Sequence, residues 1–130
     1  ERGIAATVLL KGRVTLVDDG EVTYAVDAGS SWAATAGSGD VLSGIVGALL
    51  AHDAVVPGRS PAWSAAAAAT LHGRAARLAA HRHGLRTHHS GPGAVPGPDP
   101  AAGLSGPGAP IGASDLLAAI PAAVSTLRGE

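Results

Sequence analysis

Apolar positions follow two regimes along the chain. Between Thr7 and Val26 they come in short bursts rich in β-branched residues; from Val41 onward they recur at helical spacing among alanines. Thr7 to Leu10 is an apolar run closed by Lys11-Gly12, which predicts a buried strand. Val14-Thr15-Leu16-Val17 and Val22-Thr23-Tyr24-Ala25-Val26 flank Asp18-Asp19-Gly20-Glu21. The Asp-Gly pair is a hairpin signal, so these two runs predict a β-hairpin. Ala28 to Gly39 reads as a loop of small residues. Asp40 to about His52 predicts a helix with little polar face, hence a buried one, whose Gly44 and Gly47 would let it lie close to a sheet or a neighbouring helix. After the turn at Pro57-Gly58-Arg59, Ser60 has the chemistry of an N-cap and Pro61 that of a first helical residue. That helix is expected to run to about His81, with Ala67, Leu71, Ala75 and Leu78 inward and Arg74, Arg77 and Arg82 in solvent. Gly84 to Gly112 holds hardly a bulky apolar side chain, too little to offset its ordering entropy, and is expected to be a disordered insertion. Ser114 would cap a last helix from Asp115 to about Leu127, with Asp115 favourable in the first turn and Pro121 kinking or breaking it.

Composition narrows the classes. At 130 residues, 1–130, there is room for one small domain with one core, and the strands and helices read above make it α/β. Phe and Met are both absent, so the core has to come from Leu, Val, Ile and Ala. A formal net charge of −1 carries no nucleic-acid or anionic-membrane footprint. Cysteine is absent, which excludes disulfides and thiolate metal sites. No apolar run approaches the length of a membrane span, and a cytoplasmic location is expected. The chain opens on Glu1 rather than Met, as a processed chain or a fragment would.

The chemistry concentrates at Gly37-Ser38-Gly39-Asp40. Gly37 and Gly39 allow positive φ and offer no side chain to an approaching group. The helix that follows begins with unpaired backbone amides and partial positive charge, which together make an anion site suited to phosphate. An aspartate there repels phosphate, yet it suits removal of a proton from a hydroxyl that attacks phosphate. A dipole partner in the first helical turn is the plainer role for the same residue. Phosphoryl transfer is the reading that uses all four residues.

The longer run, eighteen residues from Ala34 to Ala51, reads Ala-Thr-Ala-Gly-Ser-Gly-Asp-Val-Leu-Ser-Gly-Ile-Val-Gly-Ala-Leu-Leu-Ala. It resembles the signature of the ribokinase-like superfamily and, within it, of the ADP- or ATP-dependent NAD(P)H-hydrate dehydratases, lyases that repair hydrated nicotinamide cofactors. The resemblance implies a three-layer ribokinase-like sandwich, of which this chain would be the carboxyl-terminal part. The amino-terminal half, with several central parallel strands and most contacts to the hydrated nicotinamide, would be missing. It implies Asp40 as the catalytic base and a contact to the substrate, and Gly37, Ser38 and Gly39 as the phosphate cradle. Lys11, Gly12 and Thr15 match a Lys-Gly-x-x-Thr stretch that lines the adenine-nucleotide site. Hydrated NADH or NADPH and ADP or ATP are the implied reactants, and the complete enzyme is expected to be a homo-oligomer. The Walker P-loop spacing is missing, and no acidic cluster forms an obvious metal cage, so Mg²⁺ would be held mainly by nucleotide phosphates and water.

Two departures stand out. The family usually carries an Asn shortly before the glycine turn, where this chain has Val26-Asp27, and the long Gly/Pro insertion is atypical. A small-molecule kinase of the same superfamily would share the Gly-x-Gly-Asp turn, and a truncated, non-catalytic remnant would share the abrupt start. His81, His83, His88 and His89 lack the spacing of zinc ligands on one element and read as a solvated helix end running into a loop. His72, in Leu71-His72-Gly73, reads as structural, with no partner that the sequence names.

Overall fold

The computed structural model describes residues 6–28, 30–56, 58–88 and 108–128. They form three strands and then three helices: β1 (Val8–Leu10), β2 (Val14–Asp18), β3 (Thr23–Asp27), α1 (Ser38–Asp53), α2 (Pro61–His88) and α3 (Ala113–Arg128). The strands make an antiparallel meander in the order β1-β2-β3, with Leu9 opposite Val17 and Val17 opposite Tyr24. The hairpin turns where expected. Gly20 takes φ +88°, and the carboxylates of Asp18 and Asp19 accept the amides of Gly20 (2.8 Å), Glu21 (3.1 Å) and Val22 (2.9 Å). The turn thereby satisfies its own backbone donors.

Strand alternation gives this sheet two unlike faces. Leu9, Val17, Tyr24 and Val26 pack against Ala62, Ala65 and Ala66 of α2. The opposite face carries Val8, Leu10, Val14 and Leu16, all exposed. The expected buried strand is therefore an open one: Val8 and Leu10 are 62% and 65% exposed, because the described residues cover only one side of the sheet.

α2 organises the rest. Ser60 caps it as expected, its hydroxyl accepting the Trp63 amide at 3.1 Å, and Pro61 is its first residue. Alanine is the strongest helix former and lets neighbours approach closely, so α2 can be buried on several sides. Ala68 meets Leu42 and Ile45 of α1. Further along, Ala75, Ala76, Ala79 and Ala80 meet Leu116, Ala119 and Ala123 of α3. α2 continues beyond His81 to His88. Arg74 and Arg77 are half-buried rather than in solvent. His81 has a buried Nδ1, and His83 pairs with Asp115 at 3.1 Å, so this part of the histidine cluster belongs to the α2–α3 seam. Among the described residues no group of three His, Asp or Glu could hold a metal ion, and no helix is long and apolar enough to cross a membrane.

The expected disordered insertion is corrected at both ends. Gly84 to His88 are helical. Gly108 packs against Trp32, where a Cβ would fall 2.8 Å from the indole; the Ala109 amide donates to the Ala80 carbonyl at 3.1 Å, and Ile111 is buried. Composition hid this order because the partners, an indole and a helix carbonyl, come from elsewhere in the chain. Residues 89–107 lie outside the described residues. α3 starts at Ala113, ahead of Ser114, and the Asp115 carboxylate accepts the Gly112 amide at 2.8 Å. Pro121 is absorbed without a break. α1 is likewise more open than expected: a Cβ on Gly44 or Gly47 would meet nothing within 4 Å.

A buried carboxylate joins α1 to α2. Asp53 accepts the Ser64 hydroxyl at 2.6 Å, the His52 ring at 3.0 Å and the Arg59 guanidinium at 3.2 Å. The Ser64 bond first, then His52 and Arg59, hold its pKa below the ordinary 3.8 despite burial. A lowered folded value means stabilisation present above 3.8 and lost as pH falls through the folded pKa. In acid titrations followed by circular dichroism, the wild type should hold a margin over Asp53→Asn at neutral pH that shrinks only at pH values below that ordinary range. A margin unchanged by acid would show that Asp53 contributes nothing through its charge.

Candidate active site

The glycine turn ends the loop between β3 and α1. Gly37 takes φ +79°, a conformation that costs an L side chain roughly 1–2 kcal/mol. A Cβ there would also press to 3.1 Å from that of Ala113, so α3 closes the turn from behind. The helix starts earlier than the sequence indicated, since Ser38 and Gly39 already belong to its first turn and Asp40 is its third residue. The Ser38 amide bonds the Thr35 carbonyl at 3.1 Å, and Val41 makes the first helical bond, to Gly37, at 3.2 Å. The amides of Gly39 and Asp40 are left between them with no backbone partner among the described residues, as the start of a helix dictates.

A second loop converges on the first. Lys11 sits between β1 and β2, and its ammonium donates to the Ala33 carbonyl at 3.2 Å. The Ser38 hydroxyl, buried, donates to the same carbonyl at 2.6 Å. One oxygen therefore ties the cation of the first loop to the opening residue of α1. An ammonium has three donors, so two remain for another acceptor. Thr15, also buried, holds the first loop in shape. Its hydroxyl accepts the Gly12 amide at 3.4 Å and donates to the Gly12 carbonyl at 3.2 Å. Gly12 needs its lack of a side chain, because a Cβ would stand 3.0 Å from the Val14 carbonyl oxygen.

The seven sequence-picked residues thus divide by placement. Lys11, Gly37, Gly39 and Asp40 are exposed around one helix N-terminus, Gly12 is exposed next to Lys11 in the first loop, and the Ser38 and Thr15 hydroxyls turn inward and brace the two loops. Asp40 also borders a largely apolar cleft of about 480 Å³ between α1 and α3, with Val41, Ile45, Leu117 and Ile120. Asp27, where the Asn was expected, ends β3 with its carboxylate 3.9 Å from Arg13, on the far side of the hairpin's pairing from the turn.

A family model described as NAD(P)H-hydrate dehydratase matches residues 1–91, which take in both loops, α1 and α2. The chain belongs to the NAD(P)H-hydrate dehydratase family. It is 55% identical over 92 residues to the bifunctional NAD(P)H-hydrate repair enzyme Nnr of Mycobacterium leprae, covering 70% of this chain and 17% of that protein. The ADP-dependent (S)-NAD(P)H-hydrate dehydratase of Cenarchaeum symbiosum is 45% identical over 85 residues, covering 65% of this chain and 27% of the relative. That of Neisseria meningitidis is 47% identical over 83 residues, covering 62% and 26%. The chain therefore spans about a quarter or less of the length of these relatives. No solved structure matches.

His72, read from the sequence as structural, has a partner that the sequence did not name. His72 of α2 is buried, 4% exposed, and its Nε2 lies 2.8 Å from the Ser38 carbonyl. A carbonyl only accepts, so Nε2 carries the proton. Burial, the largest influence, and the Lys11 charge push the pKa of His72 below 6.5, against the opposing effect of that hydrogen bond. The signal was an apolar helix face interrupted by a lone imidazole, which names no partner until the fold supplies one.

Proposed function

We propose that this chain forms the nucleotide-binding and proton-abstracting part of an ADP-dependent NAD(P)H-hydrate dehydratase, acting in the cytoplasm on hydrated NADH or NADPH. The observation that carries the reading is the shared Ala33 carbonyl, which brings the Lys11 ammonium to the N-terminus where Gly39 and Asp40 offer free amides. Cation, amides and helix dipole together suit the phosphates of ADP, or of ATP. Gly37 and Gly39 leave room for them.

Asp40 has a different task. Hydroxide is a poor leaving group and phosphate a good one, so transferring phosphate to the ring hydroxyl makes dehydration feasible. The hydroxyl oxygen attacks the terminal phosphorus, its proton goes to the Asp40 carboxylate, and the bond to the leaving nucleotide oxygen breaks. The phosphorylated hydrate then expels phosphate and loses a ring proton, restoring the dihydronicotinamide double bond. Mg²⁺ has no protein cage among the described residues. It would travel on the phosphates and neutralise their charge, with Asp40 in the first turn of α1 beside the proposed phosphate site.

The wider architecture we read as the carboxyl-terminal part of a three-layer ribokinase-like sandwich, with residues 1–130 as a portion of one domain. The bare sheet face of Val8, Leu10, Val14 and Leu16 supports this, since such a face calls for a covering layer, and relatives several times longer have the chain to supply it. The 130 residues alone are expected to give no turnover of hydrated NADH with ADP, and a protein carrying the relatives' upstream segment should be active. The assay is dihydronicotinamide absorbance with AMP and phosphate release. Turnover by the 130 residues alone would refute the partial-domain reading. AMP release without dihydronicotinamide would favour a small-molecule kinase.

A further inference from the structure

Resting on the reading of the glycine turn and Asp40 as the reaction centre, we propose that His72 is a positioning residue for that centre. Its Nε2–H holds the Ser38 carbonyl, and through it the start of α1, in register with the Lys11 loop. Packing alone does not require an imidazole in this place. Leu or Met would fill a buried position on an alanine-rich helix without desolvating a ring that needs two partners. The imidazole reaches 34 residues back along the chain to one specific backbone oxygen.

That oxygen belongs to the first residue of α1, whose hydroxyl bonds the Ala33 carbonyl, which also receives Lys11. His72, Ser38, Ala33 and Lys11 therefore form one continuous line of hydrogen bonds from α2 to the two loops. Asp40 stands two residues beyond Ser38 on the same helix. The neighbouring Gly73 fixes the other end of the same loop. A Cβ there would sit 3.3 Å from Ala28 Cα, so α2 presses directly on the chain as it leaves β3. One short stretch of α2 thus grips the loop at its entry, by contact, and at its exit, by the His72 bond.

The consequence concerns alignment rather than proton transfer. A neutral imidazole donating through Nε2 adds no charge beside the phosphates, while fixing where the free amides of Gly39 and Asp40 point.

The test compares His72→Gln, His72→Asn and His72→Ala in the full-length protein that carries this chain. A glutamine amide nitrogen reaches the position of Nε2; an asparagine amide falls short, near Nδ1. Hydrogen exchange of the hydrogen-bonded amides of Ser38, Val41 and Leu42 at the start of α1, and calorimetric affinity for ADP, are read for each variant. His72→Ala and His72→Asn should speed exchange at those amides by roughly tenfold, leave exchange in the middle of α3 unchanged, and weaken ADP binding by a similar factor. His72→Gln should restore both. If His72→Ala does not fold, the Gln and Asn pair decides alone: equal behaviour of the two overturns the proposal, and recovery only by Gln upholds it. Unchanged exchange at Ser38, Val41 and Leu42 in folded His72→Ala also overturns it. A wild type that binds no ADP sinks the functional reading, whereas the exchange arm still settles whether His72 holds the turn.

Discussion

Leu116→Ala should cost about 2–5 kcal/mol, the range for emptying a fully buried leucine site. That shift should lower the thermal midpoint by roughly 2–8 °C for each kcal/mol. Among the described residues Leu116 is the largest side chain with no exposure at all, and its neighbours on α2 and α3 are mostly alanines. Alanine has no rotamers with which to reach into a void, so the site collapses poorly and the cost falls toward the upper end. The damage should also reach the glycine turn. Leu116 anchors the first turn of α3, whose Ala113 backs Gly37. Calorimetry and ADP affinity measured together separate the effects: a lower midpoint with weakened ADP binding is expected. A midpoint shift under 1 °C would show that α3 is not held by this contact.

Signals carried by neighbours in sequence were readable. Asp-Gly between β-branched runs gave the hairpin, Ser60-Pro61 the start of α2, and Gly37 to Asp40 the turn. Each depends on backbone conformations that a few adjacent residues decide. What failed depended on partners distant in sequence. Gly108 to Gly112 reads as a linker until Trp32 and the Ala80 carbonyl are brought beside it. Arg74 and Arg77 look like a solvated stripe, yet α2 is enclosed on more sides than a two-sided pattern predicts. β1 failed in the opposite sense. Its pattern is that of a strand covered on both faces, and only one face is covered here.

The site divides along the same line. Which residues gather at the helix N-terminus was readable, since glycines, a lysine and an aspartate declare their chemistry. How they are held was not. The hydroxyls of Ser38 and Thr15 turn inward to bond the backbone, and His72 finds its acceptor across the fold. Polar side chains of that kind look alike in a sequence whether they face ligand or protein.

Asp40→Asn in a complete enzyme should abolish turnover while leaving nucleotide binding intact or slightly tighter. Asparagine is nearly isosteric with aspartate, so the third position of α1 keeps its shape, but its amide cannot take the hydroxyl proton. Losing a general base lowers a rate by roughly 10²–10⁴-fold, whereas losing a mere dipole partner costs about 0.3–1 kcal/mol of stability and little rate. The two roles for Asp40 therefore differ by far more than experimental error. Electrostatics adds an expectation for affinity. A carboxylate at the helix N-terminus competes with phosphate for the same positive end, so removing its charge relieves repulsion and should strengthen ADP binding. A dipole partner would show the same gain in affinity, so turnover and stability, not affinity, separate the two roles. The decisive record is paired, with ADP affinity from calorimetry and dihydronicotinamide appearance from absorbance. Retained or tightened binding with turnover at background identifies the base. Turnover near the wild-type level would remove Asp40 from the reaction, and lost binding in a folded variant would place its carboxylate among the ligand contacts instead.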